Sequence, residues 1–296
     1  MKFGKLDHPL GVDFRLPTDH PDTRSVLSLP SVTPRVYCGG TMWNIPAWKG
    51  KIYPNKAKSE DFISFYAQQF GTIELNATHY KIHPPEILRR WADATPDDFV
   101  FCAKFPQMIS HYRRFRNCEG LTDEFLEALT ALGEKRGPTF IQLPPNFSPA
   151  HATPLLEYLE RWPRDVRLAV EFRHPDWFNA HPEAEQVWLA MQQWGIGAVI
   201  SDTAGRRDAV HMRITAPFLL LRFGGYSLHE TDELRLSEWM DRIKQWSAGG
   251  MDEVHFLVHQ PDSVLTPETC TLIATLAKKR GFNSVKSPSY IQTSLF

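Results

Sequence analysis

A chain of 296 residues with 42% hydrophobic residues is long enough to bury one substantial core, so one domain is the first reading. A formal net charge of −1 offers no global attraction for nucleic acid or an anionic membrane, and any such contact must come from a local patch. No stretch approaches the roughly 18 uninterrupted apolar residues of a membrane span, and 1–33 holds no basic segment followed by a long apolar run, so a cytoplasmic protein is expected.

A proline-rich arm, 1–34, precedes the first run of β-branched and aromatic residues at 35–43. A helical pattern at 59–70 then leads to a second strand signal at 72–80, and another at 85–94 leads to a third at 100–106. Helix-like stretches at 122–132, 154–162 and 182–194 alternate with strand signals at 139–145, 166–174 and 198–203. Residues 204–217 are too short and irregular for a sixth crossover helix and read as a loop before the strand signal at 218–225. A helix at 237–246, a last strand signal at 254–261 and a helix at 267–279 complete a domain spanning 35–281, which leaves a tail at 282–296.

Strand, helix, strand repeated in this way predicts an α/β fold with parallel pairing. Eight strands in one undivided domain, with no G-x-G-x-x-G turn after the first, favour a TIM-type (β/α)8 barrel, irregular around the sixth helix, over a doubly wound sheet. The cysteines Cys38, Cys102, Cys118 and Cys270 form no C-x-x-C pair or metal-finger spacing and read as reduced thiols.

Side chains alternate along a strand, so Glu74, Asn76, Thr78 and Tyr80 are expected on one face of the second strand, and Glu171 and Arg173 on one face of the fifth. Lys104, Gln142, Asp202, Arg222 and His259 add polar groups late in other strands. Strands covered on both sides should be nearly continuous apolar runs, and an unpaired interior charge costs several kcal/mol. In a parallel barrel the usual reason for such charges is a catalytic mouth; the plainer alternative is a self-satisfied network in which Glu74, Glu171 and Asp202 are neutralised by Lys104, Arg173 and Arg222.

The segments from Trp43 to Gly50 with Tyr53-Pro54, Glu74-Leu-Asn76-Ala-Thr78-His-Tyr80, Gln142-Leu-Pro144-Pro145 and Val170-Glu171-Phe-Arg173-His174-Pro-Asp-Trp177 closely resemble the YecE-like family, number seventy-two among the domains of unknown function. The resemblance runs from about residue 35 to 279 and implies a TIM-type barrel with no assigned activity. Two departures stand out: Gly224-Gly225 where many members carry His-Gly, and His259-Gln260-Pro261-Asp262 where many have an Asn-rich end to the last strand.

Several chemistries fit these residues. Glu74 and Glu171 could flank a small substrate as a carboxylate pair, with Lys104 and Arg173 keeping them ionised. Glu74, Glu171, Asp202 and His259 offer ligands for a divalent metal, but three basic residues compete for the carboxylates, and the metal-free reading ranks first. Arg222 with Gly224 and Gly225 could cradle an anion through backbone N–H groups, or simply form a tight turn. The basic, aromatic loop 111–116 reads as solvated surface ahead of a lid, and Trp43, Trp48 and Trp177 as stacking walls or core. There is no P-loop, G-x-S-x-G elbow or H-E-x-x-H motif, and no nucleotide-cofactor motif.

The chain ends Gln292-Thr293-Ser294-Leu295-Phe296, which resembles the peptide that docks on the bacterial sliding clamp through Gln292, Leu295 and Phe296; a tail folded onto its own domain is the alternative. The expectation is a hydrolase or isomerase acting on a small anionic, phosphorylated or sugar-like ligand. Glu74, Glu171, Lys104, Arg173 and Asp202 would be its catalytic groups, and Trp43, Asn76, Tyr80, Gln142, His174, Arg222, Gly224, Gly225 and His259 would be its binding groups. The rival is a clamp-recruited phosphodiester-cleaving enzyme or non-catalytic module.

Overall fold

The computed structural model of the chain describes residues 3–9 and 11–291; Gln292, Leu295 and Phe296 lie outside them. A strand lies at each of the eight strand signals, stopping short of the signal's C-terminal end: β1 (Arg35–Gly39), β2 (Thr72–Leu75), β3 (Val100–Ala103), β4 (Thr139–Gln142), β5 (Leu168–Glu171), β6 (Gly197–Asp202), β7 (Phe218–Gly224) and β8 (Glu253–His259). Interleaved with them are α1 (Pro21–Val26), α2 (Phe62–Gln69), α3 (Ala77–Tyr80), α4 (Pro85–Asp93), α5 (Glu119–Thr130), α6 (Ala152–Arg161), α7 (Pro182–Gln193), α8 (Glu230–Ser247) and α9 (Thr266–Lys279). Only a 3-10 turn, Arg207–Ala209, interrupts the loop between β6 and β7, as expected.

Two boundaries differ from the sequence reading for clear local reasons. The second strand stops at Leu75, and Ala77–Tyr80 turn into one helical turn, with the Thr78 hydroxyl donating to the Leu75 carbonyl at 2.8 Å and to the Lys104 carbonyl at 2.7 Å. Asn76, Thr78 and Tyr80 therefore do not continue the face of Glu74. Helix α8 starts at Glu230 rather than near 237, because the His229 ring accepts from the Thr231 N–H and Glu230, Asp232 and Glu233 fill the first turn, where acidic groups favour the helix.

All pairing is parallel. Six strands are ordered β1-β8-β7-β6-β5-β4, and β2 and β3 form a separate pair. Isolated hydrogen bonds link the two groups rather than a continuous ladder: Gly71 N–H to the Cys38 carbonyl (3.1 Å) and Glu74 N–H to the Gly40 carbonyl (3.0 Å) on one side, Phe105 N–H to the Phe140 carbonyl (2.9 Å) on the other. Gly39 lies so close to β2 that an added Cβ would sit 1.7 Å from the Thr72 carbonyl oxygen, so only glycine allows this approach.

The apolar residues divide into two clusters. A large one fills the space between strands and helices. A small one, Cys102, Phe140, Ala169, Val199, Ala216, Phe218, Leu220 and Leu257, draws on β3 to β8 and the residues before β7. Strand parity separates the two sets: Leu220 belongs to the small cluster while Leu219 and Leu221 belong to the large one. The polar residues Lys104, Gln142, Glu171, Ser201, Arg222 and His259 share parity with the small cluster and stand one step further toward the C-terminal ends of their strands, and Glu74 on β2 is in register with Cys102.

Candidate functional site

Arg222 is the centre of this polar layer. It is 2% exposed, and the carboxylates of Glu74 and Glu171 beside it are fully buried. Its Nε and Nη2 donate to the two Glu74 oxygens, both at 2.9 Å, while Nη1 donates to both Glu171 oxygens at 2.9 Å. Glu171 also accepts from Gln142 Nε2 (2.7 Å), Ser201 Oγ (2.8 Å) and Arg173 Nε (3.1 Å). His259 Nε2 lies 2.8 Å from Glu74 Oε2 and 3.2 Å from Arg222 Nη2. The carboxylate pair expected to flank a substrate is instead bridged by one guanidinium in a geometry that lets planar groups share parallel bonds.

This geometry sets the protonation states. Burial alone would raise the Glu171 carboxyl, but Arg173 and Arg222, with the bonds from Gln142 and Ser201, bring it down to about 2. Burial opposes ionisation of Glu74 too, yet Arg222 and His259 hold it well below the usual carboxylate range. Both carboxylates are charged at neutral pH, with no proton to donate.

Lys104 differs. Its side chain is buried to 7% exposure, and among the described residues its ammonium makes no hydrogen bond or ion pair. Burial lowers its pKa first and Arg222 lowers it further, against the pull of Glu74 and Glu171, leaving it at about 8. The rings of His79 and His111 meet edge-on at 5.2 Å beside it, and burial, with the positive charge of Lys104, lowers both to about 4. They are neutral at physiological pH. Among the described residues the site therefore places three cations, Lys104, Arg173 and Arg222, around two carboxylates.

Comparison with known proteins fixes the family. The family model described as "Protein of unknown function DUF72" matches residues 37–291. The chain belongs to the DUF72 family. It is 32% identical over 252 residues to the UPF0759 protein YecE of Escherichia coli (strain K12), an alignment covering 79% of this chain and 89% of that protein. The UPF0759 protein YunF of Bacillus subtilis (strain 168) is 29% identical over 167 residues, covering 54% of this chain and 58% of that one. A crystal structure of a DUF72 family protein from Enterococcus faecalis V583 superposes with a TM-score of 0.63 at 16% identity, over 82% of this chain and 95% of that chain. Another, from Thermotoga maritima MSB8, gives 0.56 at 22% identity, over 83% and 97%. At such identities these structures show the fold alone, α/β with a parallel sheet.

In this DUF72 protein the remaining expected residues scatter. Asp202 points away from the polar layer: its carboxylate accepts from Arg207, from Arg235 (Nε to Oδ1, 3.2 Å) and from the Trp239 indole (2.7 Å), tying β6 to α8. Its neighbour Ser201, of opposite parity, is the inward group, and alternation from Val199 could have identified it. The anion cradle expected after β7 has its backbone donors occupied. Gly225 N–H donates to the His259 carbonyl (2.8 Å), Tyr226 and Leu228 N–H to the Asp232 carboxylate, and Ser227 N–H to Gln260 Oε1 (2.9 Å). An internal carboxylate thus fills the position an anion would take there.

Trp48 and Trp177 are core residues, whereas Trp43 is half-buried and packs edge-on against Trp91 at 5.4 Å. Tyr80 is exposed and Asn76 half-buried, and the His174 ring accepts from the Asp176 N–H, capping a short turn. Glu74, Glu171 and His259 meet, but Asp202 does not join them, and among the described residues no group of three or more His, Cys, Asp or Glu is arranged as a metal site. No helix among the described residues is long and apolar enough to cross a membrane.

The N-terminal arm meets the strand ends. The Phe3 ring lies 4.6 Å from the Arg173 guanidinium and 4.7 Å from that of Arg206, Gly205 N–H donates to the Gly4 carbonyl (2.8 Å), and the Tyr226 hydroxyl bonds the Asp7 carbonyl. A cavity of about 360 Å³ between the arm and the ends of β6, β7 and β8 is bordered by Phe3, Leu6, Thr203, Gly224 and His259.

Proposed function

We propose that this protein is an enzyme of hydrolase or isomerase type that acts on a small anionic ligand where the strands end, within a domain spanning 35–281. We infer further that the eight strands close into a barrel. Glu74 on β2 and Glu171 on β5 grip the same Arg222 side chain from β7, and side chains from β3 to β8 pack as one inner cluster. Strands this far apart in the pairing order reach one guanidinium only by facing each other across an enclosed interior.

The observation that carries the functional reading is the buried Lys104, whose ammonium has no bonded partner among the described residues, beside the bridged Glu–Arg–Glu assembly. A self-satisfied structural network has no use for such a lysine, because desolvating an uncompensated ammonium costs several kcal/mol. Perturbed groups of this kind gather where chemistry is done, and a lysine near 8 exchanges protons close to physiological pH. Arg222 and the two glutamates hold the electrostatic frame; Lys104 and Arg173 meet the ligand.

The expected result of calorimetric titration with phosphate, and separately with acetate, is one site per chain. Affinity should fall as pH rises through about 8, because Lys104 loses its charge there. Substituting Lys104→Met should weaken binding at least about tenfold, the scale of one charge-assisted bond of ~1.5–3 kcal/mol, whereas Asp202→Asn should not alter it. No saturable binding at pH 7 would sink the proposal.

The arm gives a second prediction. Removing residues 1–9 takes Phe3 off Arg173. A cation–π contact at such a site is worth ~1 kcal/mol, so the shortened chain should bind the anion about fivefold more tightly and associate faster in stopped-flow measurements. Weaker binding would instead make the arm part of the site.

A further inference from the structure

We infer that Lys104 is a carbonyl-reactive amine, and that the substrates of this site are small aldehydes, ketones or 2-oxo acids carrying a carboxylate or phosphate. This inference rests on the anionic-ligand reading above and adds a covalent step to it.

The case begins with what surrounds Lys104. The two nearest carboxylates are already engaged: Arg222 donates twice to each, and Glu171 takes three further bonds from Gln142, Ser201 and Arg173. A lysine recruited for structure would be expected to form an ion pair, and this one forms none among the described residues. Its backbone is fixed on both sides. The Lys104 N–H donates to the Leu75 carbonyl at 3.3 Å, and the Lys104 carbonyl accepts from Thr78 Oγ1 at 2.7 Å. The following residue, Phe105, is fully buried and bonds the Phe140 carbonyl. The amine is thus carried on a rigid strand end, which suits a nucleophile better than a flexible loop does.

Desolvation and a neighbouring cation are the two means by which proteins make lysine nucleophilic at neutral pH, and both act here. With a pKa of about 8, roughly a tenth of Lys104 is neutral at pH 7, against well under a thousandth for an ordinary lysine near 10.4. The reaction balances within the site. The neutral amine adds its lone pair to the carbonyl carbon and forms the C–N bond; the carbonyl oxygen takes up protons and leaves as water when the C–O bond breaks. From ammonium and carbonyl the products are one iminium and one water, with no oxidant or reductant consumed.

The iminium keeps a positive charge beside Glu74 and Glu171, which are ionised to receive it. Arg173, whose charge acts on Lys104 and whose guanidinium bonds Glu171 and lies against the Phe3 ring, would hold the anionic end of the same molecule once the arm moves aside. The neutral rings of His79 and His111 are next to Lys104 and can relay the protons that water loss requires.

The test is reductive trapping. The full chain at pH 7 is mixed in turn with pyruvate, glyoxylate and dihydroxyacetone phosphate, reduced with borohydride, and read by intact mass and peptide mapping. One adduct per chain, of the mass of the reduced imine and located at Lys104, supports the inference, and preference between the oxo acids and the phosphate tells which anion the site takes. Mapping needs no variant, so a misfolded Lys104→Met chain cannot obscure the result; where that variant folds, its adduct should be absent. Adducts spread over exposed lysines, or none with any of the three probes while phosphate or acetate still binds, overturn the imine and leave the anion site standing. Failure of both trapping and anion binding overturns both.

Discussion

Replacing Arg222 with leucine is expected to destabilise the protein by about 3–5 kcal/mol at pH 7 and to reverse the pH dependence that Glu74 contributes. Glu74 and Glu171 are fully buried, and one side chain supplies four of their charged hydrogen bonds. Without it, two carboxylates 0% exposed face each other and, among the described residues, keep only Arg173 and His259 as charged or chargeable bonded neighbours. In the intact chain both glutamates have folded pKa values below the ordinary glutamate value of about 4.3. Their contribution is therefore fully present above that value and is lost as pH falls toward about 2, where Glu171 titrates.

In Arg222→Leu, burial at Glu74 is no longer outweighed by a guanidinium, so its folded pKa moves above the unfolded one, while Arg173, Gln142 and Ser201 still favour the ionised form of Glu171. The contribution of Glu74 then rises as pH falls, because at this group the folded state binds more protons than the unfolded state. Urea unfolding at pH 7.5 and pH 5 should show the variant gaining stability on acidification, relative to the intact chain. A parallel pH response in the two proteins would mean that Arg222 is not what holds the carboxylates ionised.

Much of this assembly was legible before any coordinates, and where the reading stopped has a physical cause. Strand β7 reads Phe-Leu-Leu-Leu-Arg-Phe-Gly, and parity alone sends Leu220 and Arg222 to one side and Leu219 and Leu221 to the other. Alternation singles out Glu74 and Glu171, whereas Lys104, Gln142, Arg222 and His259 stand out only as polar groups late in their strands. On β6 the late charged residue is Asp202, but its polar neighbour Ser201 has the inward parity of Val199. The bonds from Arg207, and from Arg235 and Trp239 of α8, show that the outward side of Asp202 is satisfied.

Past Leu75 the sequence Asn-Ala-Thr-His-Tyr suits a strand as well as a helical turn. The choice is made by the Thr78 hydroxyl reaching carbonyls on two different strands, a contact no local pattern announces. Which cation would pair was equally unreadable. Lysine and arginine are interchangeable in a charge count, but only a planar guanidinium can serve two carboxylates at once, and that takes Arg222 into the network while Lys104 is left out.

That exclusion has a thermodynamic signature. Changing Lys104 to methionine should stabilise the protein by about 2–3 kcal/mol at pH 7, while abolishing whatever the site does. Lysine whose folded pKa is lowered from an unfolded value of about 10.4 to about 8 is worth that much strain, since the folded state must desolvate an ammonium that water solvates freely. The sign follows from proton counting: between pH 8 and 10 the unfolded chain holds a proton that the folded chain has released, so the penalty fades as pH rises through that window.

Methionine keeps the length and removes the charge, so the stability gap between variant and intact chain should be widest at pH 7 and close toward pH 10. Taking the difference between the two chains matters, because His255 also titrates in this range. Burial opposes its protonation, but Cys102 and Glu253 raise it to about 9, and its contribution is lost as pH rises. That loss is common to both chains and cancels. A stable, inactive Lys104→Met protein whose advantage shrinks in alkali is the outcome expected of a residue kept for chemistry at the expense of the fold. A destabilised variant would make Lys104 part of the scaffold and remove the main support for an active centre at these strand ends.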